Sequence, residues 1–230
     1  MIDTANSVAC SSWHAVRHGW HQLHPMRWRM LLIVGFVGLV ALLVRSWDIV
    51  NTPWGWVIAE VIAPVCAAWL GATLLICDPG LELYATTPPS FRGIWLQRTL
   101  LCLILLFLSV FGCHFSLHLP VLYTATLLIT SFTAFMTASL LSSVLAGWIF
   151  AGFGVTILIL GQLLFYQPWL TIGPYTRLFF FPLQTVAPDS SLLALNRGML
   201  FFVGVLCCFL QWLAIGREEQ LIRRWFRGQR

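Results

Sequence analysis

The chain has 230 residues, of which 59% are hydrophobic and only 9% charged, where a soluble domain carries about a quarter charged residues; that balance defines an integral membrane protein. The net charge is +5, and all 13 basic side chains are arginine. With no lysine there is no P-loop, whose lysine reaches the nucleotide phosphates, and no Schiff-base chemistry, so any ATP used must be bound by another chain.

The N-terminal stretch "SSWHAVRHGWHQLHPMRW" places Trp13, Val16, Trp20 and Leu23 at helical spacing, with His14, Arg17, His18 and His21 on another face. This predicts an amphipathic helix lying on the membrane surface and ended by Pro25. His14, His18 and His21 also form a possible metal face, against which the surface-helix reading is preferred. The start lacks a charged segment followed by an apolar core and a small-residue cleavage site, so no signal peptide is expected.

Apolar runs near the length that crosses a bilayer core follow at Met30 to Val44, Trp54 to Cys77 and Thr99 to Leu117. Val121 to Tyr166 is long enough for two crossings and is divided at the small residues between Ser142 and Gly147. The sixth run begins at Leu192 or Arg197 and ends at Ile215. Six spans put both ends on one side. If that side is cytoplasmic, it holds Arg17, Arg27, Arg29, Arg92, Arg98, Arg217, Arg223, Arg224, Arg227 and Arg230, and the outside holds Arg45, Arg177 and Arg197. Ten against three supports cytoplasmic termini by the positive-inside rule. The predicted fold is all-α: a tail and surface helix over 1–28, a six-helix transmembrane domain over 29–216, and a basic cytoplasmic tail over 217–230.

Several features within the spans carry candidate chemistry. Glu60 lies inside the second span, where an ionisable group is costly and faces the bundle or a cavity. Arg45 and Arg197 are the candidate partners, and two readings stand: a polar group in a substrate path or gate, or a structural ion pair. His114 and His118 are four apart on one helical face near the end of the third span. Imidazole suits several metals, but histidines at an interface beside Pro120 are the preferred reading. A stripe of Ala134, Ala138, Ser142 and Ala146 and another of Ser139, Ser143, Gly147 and Ala151 have the spacing that lets membrane helices approach closely, although the expected turn cuts both. The seven cysteines, at 10, 66, 77, 102, 113, 207 and 208, form no C-x-x-C, and no disulfide framework or zinc site is expected.

Two connecting segments are unusual. "YQPWLTIGPYTRLFFFPLQTVAPDSSLLALNR" is too broken by proline to span a membrane and too apolar to be a solvated loop. Irregular backbone at membrane depth is tolerated only where protein or a water-filled cavity covers it, so a re-entrant or interfacial segment is expected over about 168–190. Between spans two and three, Asp78 is a capping residue, Pro79 suits a first helical turn and Pro88 turns Thr87 toward extended geometry. A short helix over about 79–87 is predicted. Its apolar face holds Leu81, Tyr84 and Ala85, and Glu82 lies on another. A helix this short is marginal in water, so it must lean on the bundle and can present Glu82 to a partner.

The run D-P-G-L-E-L-Y-A-T-T-P-P-S resembles the cytoplasmic coupling helix of ABC-2 type (type V) transporter permeases, with Arg98 at the place of the basic residue that enters the third span. The resemblance extends to the surface helix, six spans, broken outer segment and the ending "LNRGMLFF…GREEQLIRRW". It implies a permease subunit in a bacterial cytoplasmic membrane, paired with an identical or homologous second permease. It also implies a separate ABC ATPase docking on Asp78, Pro79, Gly80, Glu82, Tyr84, Thr87 and Pro88. ATP and Mg would belong to that partner; no cofactor, catalytic residue or metal is expected in this chain, and no nucleic acid among its partners. The haem-exporter permease of cytochrome c maturation has a similar elbow and is the alternative within the class. A membrane redox or cytochrome subunit using His114 or His118, and a scaffold without transport, are alternatives outside it.

From Thr99 to Thr176 there is no Asp, Glu, Lys or Arg. Walls of this kind hold a strongly charged solute poorly, and its desolvation would cost several kcal/mol. An amphipathic or apolar cargo is therefore expected: a lipid, a hydrophobic peptide or a drug-like natural product. Its outer exit would be formed by Trp169, Phe179, Phe180 and Phe181.

Overall fold

The computed structural model describes residues 56–73, 91–144, 148–166, 176–186 and 192–228, and every element among them is helical. The predicted surface helix and first span, the coupling helix with Asp78, Pro79, Gly80, Glu82, Tyr84, Thr87 and Pro88, and the residues Arg45 and Trp169 all lie outside the described residues. A π-helical turn, Ile58–Ile62, runs straight into α1, Ala63–Ala72. Helix α2 is Phe91–Leu117, α3 is Val121–Val144 and α4 is Trp148–Leu164. A 3-10 turn at Thr176–Phe179 and the single turn α5, Leu183–Val186, follow, and α6 runs over Leu193–Gly228.

Three stretches, Trp95–Gly112 of α2, Val121–Val144 of α3 and Leu193–Arg217 of α6, are long and apolar enough to cross a membrane, and Ile58–Ala72 and Ile149–Leu164 are shorter apolar helices. At 1.5 Å per residue the whole of α6 is about 54 Å long, well beyond a hydrocarbon core of about 30 Å. The helix continues without a break from its apolar stretch, Leu193–Arg217, to Gly228, into the region predicted as a basic tail.

Helix α3 is the centre of the bundle. It packs against α1, α2, α4 and α6, and its buried face is rich in hydroxyls: Thr124, Thr126, Thr130, Ser131, Thr133, Ser139 and Ser142. The peripheral helices show the reverse pattern. Leu100, Ile104, Phe107 and Leu108 of α2, Phe150, Phe153 and Ile157 of α4, and Phe201, Phe202 and Phe209 of α6 are exposed. This arrangement, with polar residues inside and oily ones outside, suits a hydrocarbon solvent. Lipid tails are as apolar as leucine, so the helices are held by close packing and hydrogen bonds rather than by the hydrophobic effect.

Small residues make the close packing. Ala134 and Ala138 of α3 share a core cluster with Ala68 and Ala72 of α1 and Ala151 of α4, so two members of one predicted small-residue stripe lie on the α1–α3 seam. Gly71 marks the tightest point: a Cβ there would overlap the Phe135 carbonyl oxygen. Only glycine permits backbones this near. Helix α3 ends at Val144 and α4 begins at Trp148; residues 145–147 of the small-residue cluster expected to divide them lie outside the described residues.

A second cluster joins the N-terminal half of α2 to the later part of α6. Trp95, Cys102, Cys207 and Ile215 are buried in it with Phe135 and Met136 of α3. The Trp95 and Trp212 rings lie 5.9 Å apart, and the Arg92 guanidinium sits 5.1 Å over the Trp212 ring, a cation–π contact. Gly216 leaves the room that Arg92 fills, since a Cβ there would overlap the guanidinium. Arg98, one turn from Trp95, is 2% exposed. Gln211 of α6 donates to the Ser139 carbonyl and hydroxyl at 3.1 and 2.7 Å.

Candidate functional site: a buried polar clamp on a broken segment

The site begins with a proline. Pro64 has no N–H, so in a regular α-helix the Glu60 carbonyl, four residues earlier, would have no donor. The chain widens instead. The Ala63 N–H bonds the Ile58 carbonyl, an i to i+5 contact, and the carbonyl left without an N–H becomes that of Ala59. Thr130 of α3 meets this need: its hydroxyl lies 2.8 Å from the Ala59 carbonyl and 2.8 Å from its own Thr126 carbonyl. A hydroxyl thus replaces the missing amide where an unmet carbonyl would be costly. Single-turn π insertions of this kind occur often at functional sites.

Glu60 sits on this turn and is fully buried. Its Oε1 accepts from Arg197 Nη2 of α6 in a buried ion pair. Its Oε2 accepts twice from Thr185 of α5, from the backbone N–H at 2.7 Å and the hydroxyl at 2.8 Å. Arg197 continues the chain of contacts, donating from Nη1 to the Phe181 carbonyl at 3.2 Å. Such a pair is stable only because geometry and added hydrogen bonds offset the loss of water.

Two amides complete the arrangement. Asn196 Nδ2 lies within hydrogen-bond distance of three carbonyls, those of Arg177, Leu178 and Phe180, at 2.7, 3.1 and 3.0 Å. Gln162 of α4 donates to the Phe179 carbonyl at 3.3 Å and accepts the Phe181 N–H at 3.0 Å. Four side chains from three parts of the bundle therefore hold the backbone of 177–185. That segment cannot satisfy its own backbone, since it contains one 3-10 turn and one α turn separated by Phe180, Phe181 and Pro182. The side chains of the neighbouring helices do it instead.

Of the two partners anticipated for Glu60, the described structure brings it together with Arg197. The three phenylalanines of the expected exit are placed differently from one another: Phe180 and Phe181 are buried in the core, and Phe179 is 45% exposed. His114 and His118 do not share a helical face. Helix α2 ends at Leu117, and His118 adopts φ 49°, the left-handed turn that closes a helix end ahead of Pro120. The Leu119 N–H bonds back to the His114 carbonyl at 3.3 Å, and His114 Nδ1 lies 3.0 Å from the Thr124 hydroxyl. Among the described residues no group of three or more His, Cys, Asp or Glu is placed to hold a metal ion.

Sequence reasoning passed over Gln162, Thr185, Asn196 and the π turn. The signals were present: an amide inside an otherwise apolar run, an amide beside the arginine already singled out, and a proline four residues after a buried glutamate.

The helices and the clamp define a membrane protein, helical throughout its described elements, in which irregular backbone is built into the bundle around a buried ion pair. No family model, curated protein or solved structure matches the chain.

Proposed function

We propose that the chain is the six-span transmembrane permease subunit of an ABC-2 type exporter, with both termini in the cytoplasm of a bacterial cell. It moves an amphipathic or apolar cargo outward on ATP hydrolysed by a separate ATPase, which docks on the coupling helix at 79–87. A second permease, identical or homologous, completes the pathway. The exposed apolar faces of α2, α4 and α6 meet lipid and that second subunit.

The observation that supports this reading best is the broken segment 176–186, held inside the bundle by helices far apart in sequence. A chain whose only task was to anchor something to a membrane would have no use for irregular backbone at that depth. A transporter uses such backbone where a pathway opens. The exposed ring of Phe179 offers an apolar surface to cargo leaving there. The coupling-helix motif and the absence of lysine point the same way, since the energy source must then lie in another chain.

The test is ATP hydrolysis in a complex extracted from native membranes in mild detergent. The chain alone neither binds nor hydrolyses ATP; the complex hydrolyses it, and amphiphiles stimulate that activity more than sugars or small ions do. Glu82→Arg lowers stimulated hydrolysis several-fold while the permease stays folded, because the reversed charge repels the docking surface. A native complex without ATPase activity, or unchanged activity in Glu82→Arg, would overturn the proposal.

A further inference from the structure

We propose that residues 176–186 form a releasable strap, that Glu60 is its latch, and that the π-helical turn carrying Glu60 is the release. The first reason is that the strap has little structure of its own. Its two helical elements are four residues each, far below the length at which a helix holds itself together. Its position is set by what surrounds it: the buried side chains of Phe180, Phe181 and Leu183 pack into the bundle, and its backbone is held by polar fastenings. These are few and directed mainly at backbone groups: Asn196 on three carbonyls, Gln162 on one carbonyl and one N–H, Arg197 on one carbonyl and Glu60 on one N–H.

The second reason is that the fastenings are not equal. Asn196 and Gln162 each hold the strap directly. Glu60 holds it twice at Thr185, and it also positions Arg197, which holds Phe181. Moving one carboxylate therefore undoes three links together and leaves a buried guanidinium without its counter-charge, an arrangement that cannot persist in a closed apolar site. The closed and released states are thus separated by one event rather than by gradual fraying.

The third reason is that Glu60 stands on the one described turn that can change register. A π turn carries one residue more than the α turn it replaces. If that turn tightens to α, the residue is passed along the helix and Glu60 rotates by about 100°, one residue's share of a turn. That rotation swings its carboxylate away from Thr185 and Arg197. Pro64 and the Thr130 hydroxyl favour the π form, because in α geometry the Pro64 ring would clash with the Glu60 carbonyl four residues earlier and Thr130 serves the carbonyl that π geometry exposes. The element has two discrete arrangements, which is what a switch requires. Helix α1 begins directly after the turn, so movement along α1 acts on the latch without an intermediate.

The experiment uses the full chain in lipid nanodiscs, with its native cysteines removed, and measures reaction with a water-soluble maleimide. Leu183→Cys reports on the strap and Ile159→Cys on the α4 core; both positions are fully buried. In the otherwise unchanged chain both thiols react slowly. Glu60→Gln, and separately Pro64→Ala, which removes the ring that clashes with the Glu60 carbonyl in α geometry and so lets the turn become α-helical, each raise the rate of the strap thiol at least tenfold and leave the α4 thiol unchanged. Unchanged rates at the strap thiol in both variants would overturn the proposal. So would a parallel rise at the α4 thiol, which would mean that the pair supports the whole bundle. Faster reaction in Glu60→Gln but not in Pro64→Ala would overturn the part given to the π turn. Should Glu60→Gln fail to insert, Arg197→Gln, which removes the other half of the pair and its link to Phe181, is read by the same outcomes. No ATPase is present in this measurement, so its result stands apart from the test of the exporter reading.

Discussion

The two ends of α1 are held by opposite means. Around Gly71 the helix lies so close to α3 that a single methyl group would strike the Phe135 carbonyl, and the seam is lined by Ala68, Ala72, Ala134 and Ala138. Around Glu60, at the start of the same helix, the neighbours are held by a charge pair and a set of directed hydrogen bonds. The first end is joined by shape and the second by polar groups. A shape-matched seam has one good arrangement and resists change through many small contacts. A polar clamp concentrates its strength in a few groups, so it can be firm while intact and can fail all at once. In a bilayer, where burial of apolar surface gives helices no mutual attraction, both devices are needed.

That contrast is broken most severely at the clamp. Arg197→Ala leaves a buried carboxylate without its cation, which costs about 3–5 kcal/mol, and we expect a marked fall in the temperature at which the purified chain loses its monodisperse elution peak. Little change would mean that the charge pair contributes little and that the amides alone hold the strap.

The seam is tested by Gly71→Leu. The clash is with backbone rather than with a movable side chain, so α1 and α3 must separate. The expected loss is about 1–3 kcal/mol, the usual range for overpacking, read by the same thermal measurement. Unlike Arg197→Ala, this change should leave the reactivity of a thiol at position 183 unaltered. Release of the strap by Gly71→Leu would show that the two ends are one mechanical unit.

Thr130→Val gives the smallest of the three effects. It keeps the side chain's shape and removes the hydroxyl that serves the Ala59 carbonyl, leaving a buried acceptor at a cost of about 1–2 kcal/mol. Pro64→Ala in the same chain should recover part of the loss, because the restored N–H can serve the Ala59 carbonyl in π geometry or let the turn become α-helical. Failure of Pro64→Ala to relieve Thr130→Val would argue against the account of the π turn.

The helices were easy to read because their signal is strong and local: long apolar runs bounded by arginine, proline and small residues. Glu60 was equally visible as an acid in an apolar run. That Arg197 reaches Glu60 was not readable from spacing, because the two lie in different parts of the chain and only packing brings them together. Asn196 and Gln162 were missed for a related reason. Their partners are backbone carbonyls of a segment with no periodic pattern, so nothing in its side chains announces them. The exit expected at Phe179, Phe180 and Phe181 treated three adjacent rings as equivalent, whereas a 3-10 turn followed by Pro182 sends neighbouring side chains in different directions, two of them inward.

The most direct test of the clamp is a double-mutant cycle on its ion pair, using Glu60→Gln, Arg197→Gln and both together, with thermal stability of the purified chain as the readout. Each single change removes one half of the charge pair and leaves the other half buried, and the double change removes both. The account predicts a double variant more stable than either single one, with a strong coupling between the two positions. Additive losses, with the double variant the least stable of the three, would contradict it.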